Sequence, residues 1–268
     1  MKRLISFLLI LVVVGSAWAQ DGARGSGSAD GAVPSIGIID VLSDTFEDSQ
    51  VRLFTDILQT EVFKLNRFQI VERGVIQRIV QEQGTQLSGS VDDADLLKVG
   101  QLLETDKLLI CRIERFSDTI ALNTRIIDVQ STVLDFTENV FISDENQVFD
   151  AIRDLAVKID MRYLSQTRSD DPVAQREAVR QRWTQLGARN RDAQELMSSG
   201  ATVEEYLTIR QYDVTFKPAD YLQLLNAGWQ PQVVIEFFQE GVPFDHVQAA
   251  LELGIADLEY YWSAFKPA

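Results

Sequence analysis

Histidine and cysteine occur once each in this chain, as His246 and Cys111. A single histidine cannot supply a metal site that needs two imidazole ligands. Any nucleophilic triad would have to be built on His246, which follows Phe244 and Asp245 at the start of a helical stretch and reads as a surface or capping residue. Cys111 lies inside the apolar run LLICRIERF, where a buried small hydrophobe is expected and not a reactive thiol. It also has no cysteine to pair with inside the chain. Phosphate-loop and nucleophile-elbow patterns are missing. Gly25 and Gly27 fall within QDGARGSGSADGA, with no strand before and no helix after, so they read as linker. Asp92, Asp93 and Asp95 lack the alternation, central glycine and closing glutamate of a calcium loop. Asp92 or Asp93 is better placed as a helix N-cap, with acids in the first turn facing the positive helix end. With 40 acidic residues, chance carboxylate pairs are inevitable, so a paired-carboxylate envelope hydrolase is the least favoured reading. The chain is read as noncatalytic, with no cofactor and no metal.

The net charge of -15 argues against a nucleic-acid partner. Lys2 and Arg3, the apolar run from Leu4 to Val14, and Ala17-Trp18-Ala19 have the three parts of a secretory signal peptide, with cleavage expected after Ala19. Losing those two basic residues leaves 23 against 40 acidic ones, or -17. Export follows, to the periplasm or the outer membrane. Gln20, and not a cysteine, directly follows the leader, so no N-terminal lipid anchor is expected. Arg176, Arg180, Arg182, Arg189 and Arg191 crowd one later stretch; pairing with neighbouring acids on a solvated face is the expected role, and contact with a membrane stays open.

The elements that must position these residues follow from hydropathy. Residues 1–19 are the leader and 20–33 a flexible linker. SIGIIDVL predicts a strand over Ser35 to Leu42, with Asp40 near its end as a turn or cap residue. A helix from Phe46 to Asn66 carries the stripe Phe54, Ile57, Leu58 and Val62, and a short strand follows at Phe68 to Val71. Val75, Ile76, Ile79 and Val80 then place a helix that Gly84 ends, and another runs from Asp92 or Asp93 to Leu103. Strands are predicted over 107–116, 119–129 and 133–142, paired as antiparallel hairpins. A helix over 145–164 should turn Val148, Phe149, Ile152, Leu155, Ala156 and Ile159 inward. Beyond the polar link SQTRSDDP, a helix or two span Val173 to Met197. Gly200-Ala, Asp213-Val, Gly228-Trp, Gly241-Val and Gly254-Ile then recur at spacings of 13, 15, 13 and 13 residues. Each unit is a short helix that must stack on its neighbours to bury an apolar side. The fold class is α/β (α+β): a mixed sheet flanked by helices over 34–165, then an all-α short helical repeat domain over 174–268.

The run VER, a short helix, QEQ, QLSG, an Asp-rich helix start and LLETDKLLICRIERF resembles the CsgG-like domain of bacterial envelope proteins, a curli assembly and transport family related to LpoB-type activators of peptidoglycan synthases. The resemblance covers residues 34–164. Its usual DVxTG turn is carried here at Asp128-Val129, with Ser131 and Thr132 in place of Thr-Gly. The long membrane hairpins of the curli channel are not evident, because the strand-to-strand turns are short. The resemblance implies a noncatalytic binding or assembly factor of the envelope with a protein partner. Homo-oligomerisation through sheet edges, as a component of a secretion or surface-assembly complex, is one alternative; activation of a peptidoglycan synthase is another. Candidate partner-binding residues are Glu72 and Arg73 at the strand-to-helix junction, and Trp229, Phe237, Tyr260 and Trp262 in the helical array. For Glu72 and Arg73 the competing role is a structural salt bridge at the strand end.

Overall fold

A computed structural model describes residues 33–84, 91–164 and 171–253. The leader, most of the linker, the QLSG segment, and the repeat unit at Gly254 with Tyr260 and Trp262 lie outside those residues.

The elements follow the order β1 (Ser35–Ile38), α1 (Asp48–Lys64), β2 (Gln69–Ile70), α2 (Arg73–Glu82), α3 (Asp93–Leu102), β3 (Lys107–Phe116), β4 (Thr119–Asp128), β5 (Leu134–Ile142) and α4 (Val148–Leu164). The five strands form one mixed sheet in the order β2-β1-β3-β4-β5. β1 pairs in parallel with both β2 and β3, and β3, β4 and β5 pair antiparallel. Helices cover both faces of the parallel part, so β3 opens as a continuous apolar run instead of alternating. Leu109, Cys111 and Ile113 face α1 and α4, while Leu108 and Ile110 face α2 and α3.

Three local features depart from the expectations. β1 ends at Ile38, four residues early, because Val41 N–H donates to Thr55 Oγ1 at 2.9 Å instead of continuing a ladder. Pairing resumes only as a single bridge between Leu42 and Arg112. Phe149, expected inward, is 37% exposed and meets the core only edge-on through Phe54, at 6.3 Å between ring centres. In the turn after β4, Thr132 adopts φ 59°, the left-handed conformation that favours glycine. Asp128 stabilises that turn by accepting from both the amide and the hydroxyl of Ser131 at 2.7 Å.

The helical segment continues as α5 (Pro172–Gln185), α6 (Asn190–Ser198), α7 (Val203–Arg210), α8 (Pro218–Asn226), α9 (Pro231–Gln239) and α10 (Phe244–Glu252). Its repeat has a single physical basis. Gly187, Gly200, Gly228 and Gly241 all take positive φ. The amide after each glycine reaches back to a helix carbonyl: Ala188 to Trp183, Ala201 to Leu196, Trp229 to Leu224 and Val242 to Phe237, at 2.9–3.1 Å. This is the Schellman ending, in which the residue after the glycine also packs on the residue whose carbonyl it caps. All eight side chains in those pairs are buried. Gly187 thus extends the repeat one unit upstream of Gly200. At Asp213 the pattern changes, since two more residues and a carboxylate that accepts from Thr215 N and Oγ1 replace the glycine ending.

Helix α4 serves both parts of the molecule. Most of its apolar side chains face the sheet, but Val157 lies in the core of the array, and Val214 from the array lies in the sheet-side core. Two buried charge clusters sit on the same helix. Arg210 Nε donates to Asp154 Oδ2 at 2.6 Å, and Arg67 and Arg182 donate through Nε to the two oxygens of Asp160, each at 2.7 Å.

Burial pushes the Asp154 carboxyl up to about 6 against the opposing pull of Arg210 and Lys158, with Asp150 adding to the rise. Unfolded, the group returns to its ordinary value near 3.8. The folded chain therefore binds a proton that the unfolded chain does not between these values, and acidification from pH 7 to 4 stabilises the fold through this group. Asp128 acts in the opposite sense and lower: burial raises its pKa, but Lys107 and Ser131 outweigh that and hold it at about 2, so its contribution is lost only as the pH falls below its unfolded value. Urea unfolding of the wild type and Asp154→Asn across this range checks the sign. The wild type should gain on the variant as the pH falls, and a constant difference between them would refute the assignment.

Candidate functional site

Arg73 is the best-connected residue at the strand-to-helix junction. Its Nε donates to Asp40 Oδ1 at 2.7 Å and its Nη1 to Asp56 Oδ1 at 2.5 Å, while Gln77 also donates to Asp40 at 3.2 Å. These contacts tie the end of β1 to α1 and α2. Arg73 is therefore engaged in the structural bridge, and Glu72, at the N-cap of α2, is exposed. Asp92 caps α3, accepting from Ala94 N, and Asp93 takes Arg112 at 3.1 Å together with Arg125. The acidic run is thus spent on a cap and on ion pairs.

Trp229 and Phe237 are buried. Trp229 follows a capping glycine, Phe237 supplies the carbonyl for the next one, and their rings pack 4.9 Å apart inside the array core. Trp183, Trp229 and Phe237 each belong to a capping pair, and the motif buries a large side chain at every junction. The arginine stretch pairs locally: Arg180 with Glu177, Arg189 with Asp192, and Arg191 with Glu195.

The surface that remains apolar is on the sheet. Strand pairing places Phe116, Ala121, Asn123, Asn139 and Phe141 on the face shared with α2 and α3, but beyond the point where Arg112 and Arg125 grip Asp93. Phe116 is 66% exposed and Phe141 64% exposed. They stand on β3 and β5, with Ala121 of β4 giving a low surface between them and Asn123 hydrogen-bonded to Asn139 alongside. On the opposite face of the same strands, Ile113, Ile120, Leu122 and Ile142 are buried against α1 and α4. Glu114, in the same cross-strand row as Ala121 and Phe141, has its carboxyl raised by burial, against hydrogen bonds from Asp44 and Thr45. The sequence carried a signal for this face. With Val140 and Ile142 inward, a period of two turns Phe141 outward. Along the free edge of β5, Leu207, Arg210 and Gln211 line a cavity of about 270 Å³ with Val140 and Phe141, so the array lies beside that edge. Among the described residues no helix is long and apolar enough to cross a membrane, and no group of three or more metal-ligating side chains is gathered.

No family model matches this chain, and no curated protein matches it. Among solved structures it is similar to the C-terminal domain of LpoB from Salmonella enterica, at 15% identity, with 43% of this chain and 88% of that one covered and a TM-score of 0.35. The solution structure of Escherichia coli LpoB is similar at 11% identity over 53% of this chain and 84% of that one, with a TM-score of 0.36. A lipoprotein from Neisseria meningitidis is similar at 12% identity over 51% of this chain and 99% of that one, with a TM-score of 0.35. The CsgG-like relationship rests on the sequence resemblance alone.

Proposed function

We propose that this protein is a noncatalytic binding factor of the bacterial cell envelope that docks a protein partner on the open half of its sheet. The observation that carries the reading is the pair of exposed phenylalanines, Phe116 and Phe141, on one face of the sheet, on the two strands that flank β4. Large exposed aromatic side chains are the residues that concentrate binding energy in protein interfaces. The envelope setting rests on the leader expected over residues 1–19. The finer reading, activation of a peptidoglycan synthase, rests on the resemblance to the LpoB-type activators.

The test uses the chain from Gln20 onward and the double variant Phe116→Ser with Phe141→Ser. Both side chains are exposed, so the melting temperature should hold. Capture of envelope proteins that the wild type retains should fall at least about tenfold, the loss expected when an interface anchor worth 1.4 kcal/mol or more is removed. For the finer reading, a purified synthase should respond to the wild type and not to the double variant. Capture and stimulation by the double variant equal to the wild type would remove this face from the function.

A further inference from the structure

A second surface has the opposite character. Between the C-terminal end of α1, helix α4 and helix α5 lies a cavity of about 750 Å³, within the size range of small-molecule sites. Its charged lining is Lys64, Arg67, Arg153 and Arg182 against the single carboxylate of Asp160. That excess of positive charge occurs in a chain of net charge -15.

The chemistry of the lining is specific. Asp160 is buried and shared, with Arg67 on one oxygen and Arg182 on the other. One negative charge therefore neutralises only one of two guanidiniums. Both arginines spend Nε on Asp160, which leaves their terminal nitrogens for another acceptor. Arg182 is only 7% exposed, and its Nη2 is buried with no hydrogen-bond partner. A buried cationic donor without an acceptor is costly, and an oxyanion is the acceptor that a guanidinium fork fits best. At the rim, Arg153 is held by Asp150 at 2.8 Å and Lys64 by Glu61 at 2.6 Å, both partly exposed. Phe63, 70% exposed, offers a flat apolar surface at the same rim.

We propose that this cavity binds a small ligand carrying a carboxylate or phosphate group, with Arg67, Arg153 and Arg182 on its oxygens and Phe63 against its apolar part. The site is separate from the Phe116–Phe141 face and does not depend on the reading given to that face. Titration calorimetry of the chain from Gln20 onward with inorganic phosphate and, separately, with succinate tests it at low and high salt. Saturable binding of phosphate alone points to a phosphate-bearing ligand, and of succinate alone to a carboxylate-bearing one; either supports the site, and both should weaken with salt.

Arg153→Gln spares the Asp160 pairs and should keep the melting temperature while weakening binding at least about tenfold. Lys64→Gln, on the exposed rim, gives a second variant with the same expected direction. No saturable heat with either anion, or wild-type affinity in both variants, would overturn the proposal.

Discussion

Arg210→Ala is expected to lower the unfolding free energy by roughly 3–5 kcal/mol, the cost of leaving a buried charge without its partner. The side chain is almost fully enclosed, at 3% exposure. Besides the bond to Asp154, Nη1 donates to the carbonyl of Phe216 at 2.8 Å, and the guanidinium lies 5.8 Å from the centre of the Tyr206 ring. Truncation removes all three interactions and strands Asp154 between α4 and α7. Phe216 keeps one donor, the Tyr206 hydroxyl at 2.6 Å, so the main loss is the charge. Urea unfolding at neutral pH reads the effect. The double replacement Arg210→Met with Asp154→Leu should recover most of it, because a matched apolar pair removes the stranded charge. A single-variant loss below about 1 kcal/mol would mean that water reaches the pair and that its burial is not what holds the array to α4.

Trp183→Ala is expected to cost about 3–5 kcal/mol, as for other large-to-small changes in a closed core. Trp183 is the largest fully buried side chain of the array, with Tyr206 at 5.3 Å and Tyr221 at 6.4 Å between ring centres. It also gives the carbonyl that Ala188 caps, so the cavity left by alanine would open beneath the first helix ending. Trp183→Phe should behave differently. The indole N–H is buried without a partner, and phenylalanine removes that unsatisfied donor while keeping most of the ring, so a change within about 1 kcal/mol is expected. Equal losses in the two variants would refute this reading and mean that the indole N–H has a partner that phenylalanine cannot replace.

Local patterns made most of the architecture legible. β3, β4 and β5 lie within a residue or two of their expected bounds, because turn residues bracket runs long enough to declare their pairing. The cap at Asp92 and the glycine-ended units were readable for the same reason: each is completed within a few residues of chain. Features settled by distant partners were not readable. Arg210 and Asp154 stand 56 positions apart, and nothing in their spacing marks them as a pair. Trp229 and Phe237 looked like surplus aromatics because composition cannot tell a capping contact from an exposed anchor. Gly187 escaped the repeat because its helix follows a polar link instead of another unit. Phe116 and Phe141 were visible only as members of strands; which face they occupy mattered only once the helices were seen to cover part of that face.

The glycine endings of the array also bear on how such a segment is inherited. Each junction is closed by a carbonyl and an apolar side chain from one helix together with the two residues that follow it, all within a single unit. A duplicated or lost unit of 13 residues therefore carries its own joint, and what must still match is the apolar side it stacks on its neighbours. The Asp213 junction is the exception: Tyr206, Arg210 and Phe216 beside it are committed to α4 and to one another, so this one interval is fixed by a partner outside the array. A change of array length is therefore expected to cost least away from α4 and most in the interval that Arg210 ties to Asp154.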